Sequence, residues 1–144
     1  MRIWIAAGCM ALLAACAPQQ SAAPTEAEQL AHGNYLVNNI GGCNDCHTPM
    51  LPSGEPDRAH ALQGAPLAFE LVPPLQGHVP WTAVAPQIAG GPAGYSDQQF
   101  AHFLQTGERP DGSHPNPPMP AFRFNESDAL AVVAYVKTLP RAEH

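Results

Sequence analysis

Apolar and polar positions follow three helical patterns along this chain, separated by a long stretch with no pattern. Leu30, Gly33, Leu36, Val37 and Ile40 share one arc of about 120° at 100° per residue, the mark of a helix with one buried face. Thr25-Glu26-Ala27-Glu28 is a capping box and Gly41-Gly42 a stop, so the spacing predicts a helix ending near Ile40. Tyr35 lies off its stripe. A second helix opens at Ser96-Asp97-Gln98-Gln99, turns Phe100, Phe103 and Leu104 inward, and stops at Gly107. His102 falls off that inward face and reads as a surface residue. The third is capped by Asn125, with Asp128 at its positive end. Leu130, Val133, Ala134 and Val136 to Leu139 form its broad apolar face, and Pro140 closes it. Residues 51–93 are rich in proline and show no period.

Composition narrows the class. The 144 residues suffice for one domain of ordinary size, and 45% of them are hydrophobic, enough for a core. Six basic against twelve acidic side chains give a net charge of −6, which speaks against a nucleic-acid binder. No internal repeat is visible. A mostly α fold with long Pro/Gly-rich loops is expected.

Met1-Arg2 and the apolar run Ile3 to Ala15 make a secretory leader, and thirteen residues are too few to span a bilayer. Its end, Leu13-Ala14-Ala15-Cys16, resembles the lipobox of bacterial lipoproteins. The resemblance implies a signal peptide over 1–15, cleavage before Cys16 and acylation of Cys16. Residues 16–25 are then a lipidated tether, and 26–144 a domain on the periplasmic side of the cell envelope, anchored to a membrane. An ordinary signal peptide with a chance cysteine, or an uncleaved anchor, are the alternatives. Ala17 to Pro24 has a tether's small, polar composition, and eight residues reach at most about 28 Å.

Cys43-Asn44-Asp45-Cys46-His47 carries the chemistry. C-x-x-C-H is the attachment signature of c-type haem. Two thiols one helical turn apart each add to a haem vinyl group, and the next imidazole falls under the iron as proximal ligand. A dithiol redox site prefers a βαβ setting, which is missing around these residues. A structural zinc site needs four ligands at short spacing, and the seven histidines are scattered. Haem would also supply core for residues 51–93, which are expected to wrap it, with Phe69 and Trp81 as apolar contacts.

For the other iron face, Met50 lies three residues after His47, a reach of about 10 Å and too short to round the porphyrin edge. Met119, 72 residues downstream in Asn116-Pro117-Pro118-Met119-Pro120, sits in a loop stiffened by proline. It is the preferred sixth ligand, with His114 as its rival.

These pieces together resemble the class I cytochrome c family. The matching residues are Cys43-x-x-Cys46-His47-Thr48, Thr106-Gly107 with Arg109-Pro110-Asp111-Gly112, Pro118-Met119-Pro120, and Asp128 to Tyr135. They cover about residues 26–50 and 94–140, half of the chain, and look most like single-haem modules that accompany periplasmic dehydrogenases. The resemblance implies first and last helices crossing beside one covalently bound haem c, with Tyr135 at the crossing. Gly64-Ala65-Pro66-Leu67 loosely matches the family's Gly-Pro segment, so Pro66 is the expected carbonyl partner of the proximal imidazole. Val72 to Gly94 matches no familiar pattern.

The function expected is electron transfer by a membrane-tethered carrier, not an enzyme. Its electron would come from a dehydrogenase or respiratory complex and go to an oxidase or other high-potential acceptor, since a Met ligand raises the potential. The acidic balance suggests a partner with a basic docking patch. The alternatives are a haem sensor or peroxidase-like enzyme with an open sixth site and, with the same carrier chemistry, a dedicated electron-transfer subunit of a dehydrogenase complex.

Overall fold

A computed structural model describes residues 23–142; the leader and Cys16 lie outside the described residues. Three longer helices build the frame. Helix α1 (Glu26–Tyr35) starts at the predicted capping box, in which Thr25 Oγ1 accepts from the Glu28 N–H and the Glu28 carboxylate accepts from the Thr25 N–H at 2.8 Å. It runs on into a π-helical turn, Leu36–Ile40, where the Gly41 N–H reaches back five residues to the Leu36 carbonyl at 2.7 Å. Gly42, at φ 59°, then turns the chain into the single-turn helix α2 (Cys43–His47).

The π turn corrects one expectation. Gly33, Leu36 and Val37 are buried as the stripe requires, but Ile40 is 57% exposed. An i→i+5 turn takes up one residue more than an α turn, which swings Ile40 off the buried face.

Helix α3 (Asp97–Thr106) has the second capping box complete, buries Phe100 and Leu104, half-buries Phe103, and ends on Gly107 at φ 76°. His102 is exposed. Helix α4 (Glu126–Thr138) is capped by the Asn125 side chain, which accepts from the Asp128 N–H at 2.8 Å. Its buried face differs from the predicted one: Ala129, Val132, Val133 and Val136 point inward at i, i+3, i+4, i+7, and Leu130 is exposed.

The reason lies at the α1–α4 crossing. A Cβ on Gly33 would sit 2.0 Å from the Ala131 carbonyl oxygen and 2.8 Å from Tyr135 Cβ. The helices therefore touch backbone to backbone. That contact points the small Ala131 at α1 and rolls Leu130 outward. Tyr135 is at the crossing as the resemblance implied, its hydroxyl accepting from Asn38 Nδ2 at 3.3 Å. Two polar contacts flank the frame, a hydrogen bond between His32 Nε2 and the Asp128 carboxylate at 2.7 Å and an exposed ion pair of Lys137 with Asp97 at 2.6 Å.

The proline-rich stretch lies mostly at the surface and enters the core at Leu62, Ala65, Ala85 and Ala89. Its Leu62 is fully buried with φ 58°, a strained value for a non-glycine residue. Neighbouring bonds hold it there. Thr48 Oγ1 accepts from the Leu62 N–H, and the Leu62 carbonyl accepts from Ile88 and Ala89, each at 2.9 Å. Strands β1 (Ala65–Pro66) and β2 (Val84–Ala85) pair antiparallel, Ala65 opposite Ala85, closing the base of a loop over 67–83. The described residues are thus mostly helical, as expected, and compatible with a cytochrome c-like fold.

Candidate functional site: an apolar cavity with two thiols, an imidazole and a thioether

A cavity of about 550 Å³ opens between α2, the β1–β2 base, α3, α4 and the loop after α3, and its lining is almost wholly apolar. Its volume is within the range of pockets that hold small organic ligands, roughly 300–1,000 Å³. Cys43, Cys46 and His47 line it from α2, and Met119 lines it from the Pro117–Pro120 loop. Four residues predicted as one site thus share one cavity, although 72 positions separate His47 from Met119.

The rivals fall elsewhere. Met50 is 40% exposed and bridges to Pro56, away from the cavity. His114 is exposed and outside the lining, its Nδ1–H donated to the Gly107 carbonyl at 2.9 Å. Phe69 and Trp81 also fail to line it. They pack edge to face on each other with ring centres 5.9 Å apart, and the Trp81 indole N–H has no partner among the described residues. The irregular stretch reaches the cavity instead through Leu67, Thr82 and the run from Ala85 to Ile88.

That run holds the residue the sequence reading missed. The His47 ring is buried, and its Nδ1 lies 2.7 Å from the Pro86 carbonyl oxygen. A carbonyl only accepts, so Nδ1 carries the proton and Nε2 keeps its lone pair, the tautomer a metal ligand needs. Pro86, not Pro66, supplies this contact. The Gly64 match was half right: the Gly64 N–H donates to the His47 backbone carbonyl at 2.7 Å, while Pro66 pairs across to Val84. Pro66 and Pro86 each follow an alanine in the paired strands, and the sequence gives no spacing that separates them.

The electrostatics of the two thiols run against dithiol redox chemistry. Burial pushes the Cys43 thiol up to about 11, with the Asp45 and Cys46 charges adding to the rise against a backbone hydrogen bond. The Cys46 thiol is raised too, by burial and then by Asp45. A dithiol oxidoreductase needs the opposite shift. Burial lowers the His47 pKa, a shift in the direction of the neutral imidazole that its bond to Pro86 partly opposes. Among the described residues no group of three His, Cys, Asp or Glu side chains is arranged to hold a bare metal ion, so this is no ready-made zinc site. Arg109 also lines the cavity, its guanidinium Nη1 donating to Ser113 Oγ at 3.1 Å and to the His114 carbonyl at 2.7 Å.

The sequence is 27% identical over 113 residues to the fructose dehydrogenase cytochrome subunit of Gluconobacter japonicus, and 30% identical over 116 residues to a diheme cytochrome c-type protein of Cereibacter sphaeroides. The likeness is to c-type cytochromes. It covers 75% and 77% of this chain but only 21% and 36% of those two proteins, so the chain matches a minor part of each. No protein-family model matches the sequence. Named as cytochromes, the relatives support an electron-transfer role and imply haem c as the cofactor. The cavity suits that group on its own residues: an apolar slot, two thiols a helical turn apart, and an imidazole with Nε2 free.

Proposed function

We propose that this chain is a single-haem, class I c-type cytochrome that carries electrons, with haem joined to Cys43 and Cys46 and its iron between His47 and Met119. The observation that carries the reading is the convergence of these four side chains on one apolar cavity, with His47 fixed by Pro86 in the ligating tautomer. Bound haem supplies a one-electron iron couple. The protein's part is to hold still around it. The apolar wall excludes water, and a thioether at the sixth position raises the potential relative to a second imidazole. Arg109 lines the same cavity and would offer a cation to the acidic groups of a bound haem. One C-x-x-C-H motif in the sequence argues for one haem.

The chain is further proposed to be secreted, acylated on Cys16 and tethered on the periplasmic side. There it would take electrons from a dehydrogenase and pass them to an oxidase or another high-potential acceptor. The dehydrogenase partner is argued from the relative named as a fructose dehydrogenase subunit. As a carrier or subunit it performs no catalysis of its own.

Mass spectrometry of the full chain expressed with the haem-attachment machinery tests this. The expected mass is that of one haem bound through two thioethers plus a diacylated or triacylated Cys16. Cys46→Ala is expected to lose one thioether. A chain that matures without covalent haem would overturn the proposal.

A further inference from the structure

The loop between β1 and β2 combines exposed apolar side chains with a near absence of charge. Phe69, Val72 and Leu75 along it, and Val84 at its base, are each at least half exposed. From Leu67 to Tyr95 the only formal charge is Glu70, in a chain that is otherwise acidic. Pro73, Pro74 and Pro80 stiffen the loop, and the edge-on contact of Phe69 with Trp81 braces one side against the other. Exposed apolar clusters poor in charge mark surfaces that meet something apolar.

We infer that this loop rests in the interface of the bilayer to which the chain is tethered, with Phe69, Val72 and Leu75 in the acyl–headgroup boundary. The inference depends on the proposed acylation of Cys16. The argument for a bilayer is reach and charge. A tether of the eight residues Ala17–Pro24 reaches at most about 28 Å, so on a chain acylated at Cys16 a second membrane contact is intramolecular and needs little affinity of its own. The loop carries no Lys or Arg to seek acidic headgroups, and its single Glu70 offers an ordinary basic docking patch little to bind. Apolar insertion into zwitterionic lipid is the contact its composition fits. The same segment supplies Leu67 and Thr82 to the cavity wall. Seating it would therefore fix how the cavity faces the membrane.

With Cys43 and Cys46 in thioethers and Cys16 acylated, a cysteine at position 72 is the one free thiol. Val72 is 67% exposed, so Val72→Cys leaves the core untouched. The full-length holoprotein carrying an environment-sensitive fluorophore there is bound to phosphatidylcholine vesicles, with and without bromine on the acyl chains. The same label at Ser113→Cys, in the exposed loop after α3, serves as control. The expected result is quenching by brominated lipid of about twofold at 72 and none at 113. Haem quenching cancels in the ratio. Equal, unquenched emission at both sites on vesicle-bound chain overturns the inference and leaves the loop to a protein partner. Flotation and the mass of Cys16 report the anchor separately. A chain that floats with its loop in water sinks the loop contact alone, while one that neither floats nor carries acyl groups sinks both.

Discussion

The helical frame and the proline-rich stretch reach the same cavity by different physics. Helices α1, α3 and α4 are specified by apolar periodicity and caps, and each buries a stripe that many similar sequences would bury equally well. Residues 51–93 are specified by single contacts: Leu62 forced into a left-handed backbone, Gly64 against the His47 carbonyl, Pro86 on the His47 ring. The frame sets whether the protein folds. The stretch sets which way the His47 imidazole points.

That division predicts a graded series of effects. The largest is at the α1–α4 crossing. Gly33→Ala drives a Cβ into the Ala131 carbonyl and is expected to cost about 3 kcal/mol, read as a lower urea midpoint with unchanged slope. If stability holds, the helices do not touch there.

Next comes the cap of α3. Ser96→Ala removes the hydroxyl that accepts from Gln99 and is expected to cost about 1 kcal/mol, visible in the same melt and without change at the haem. Pro86→Gly keeps the carbonyl but loosens the chain behind it. Its stability loss is expected at or below about 1 kcal/mol. Its signature lies elsewhere: a shifted midpoint potential and broadened ring resonances of His47. Pro66→Gly, on the opposite strand, should leave both unmoved, and the reverse pattern would return the carbonyl role to Pro66. The smallest effect is Lys137→Gln. Both partners in its pair with Asp97 are about half exposed, so the loss should stay below about 0.5 kcal/mol and vanish in high salt.

How much was legible in the sequence follows the same line. The two capping boxes, the Asn125 cap, the glycine stops and the buried positions Leu36, Val37, Phe100 and Leu104 were readable, because backbone hydrogen bonding and a 3.6-residue period write themselves into residue spacing. Ile40 and Leu130 were misread for one reason. A π turn and a glycine-mediated helix contact rotate a face without altering the hydrophobic pattern. The residues of the site were legible as chemistry, since thiols and imidazole at C-x-x-C-H spacing have few other uses. Their partners were not. Pro86 acts through its carbonyl, which every residue possesses, and the bonds that bring it to His47 run through Thr48 and Leu62 with no periodicity to betray them. Phe69 and Trp81 do not line the cavity themselves; they pack on each other in a loop whose Leu67 and Thr82 do.

The claim that matters most is that Met119 closes the iron's sixth position and makes the protein a carrier. The direct measurement is the absorption spectrum of the purified holoprotein, oxidised and reduced, before and after carbon monoxide. A low-spin spectrum with a weak sulfur-to-iron band in the oxidised form, lost in Met119→Ala and unmoved by the gas in the parent chain, is the predicted result. A high-spin spectrum, or one that shifts at once with carbon monoxide, would contradict the account and leave a ligand-binding haem protein in its place.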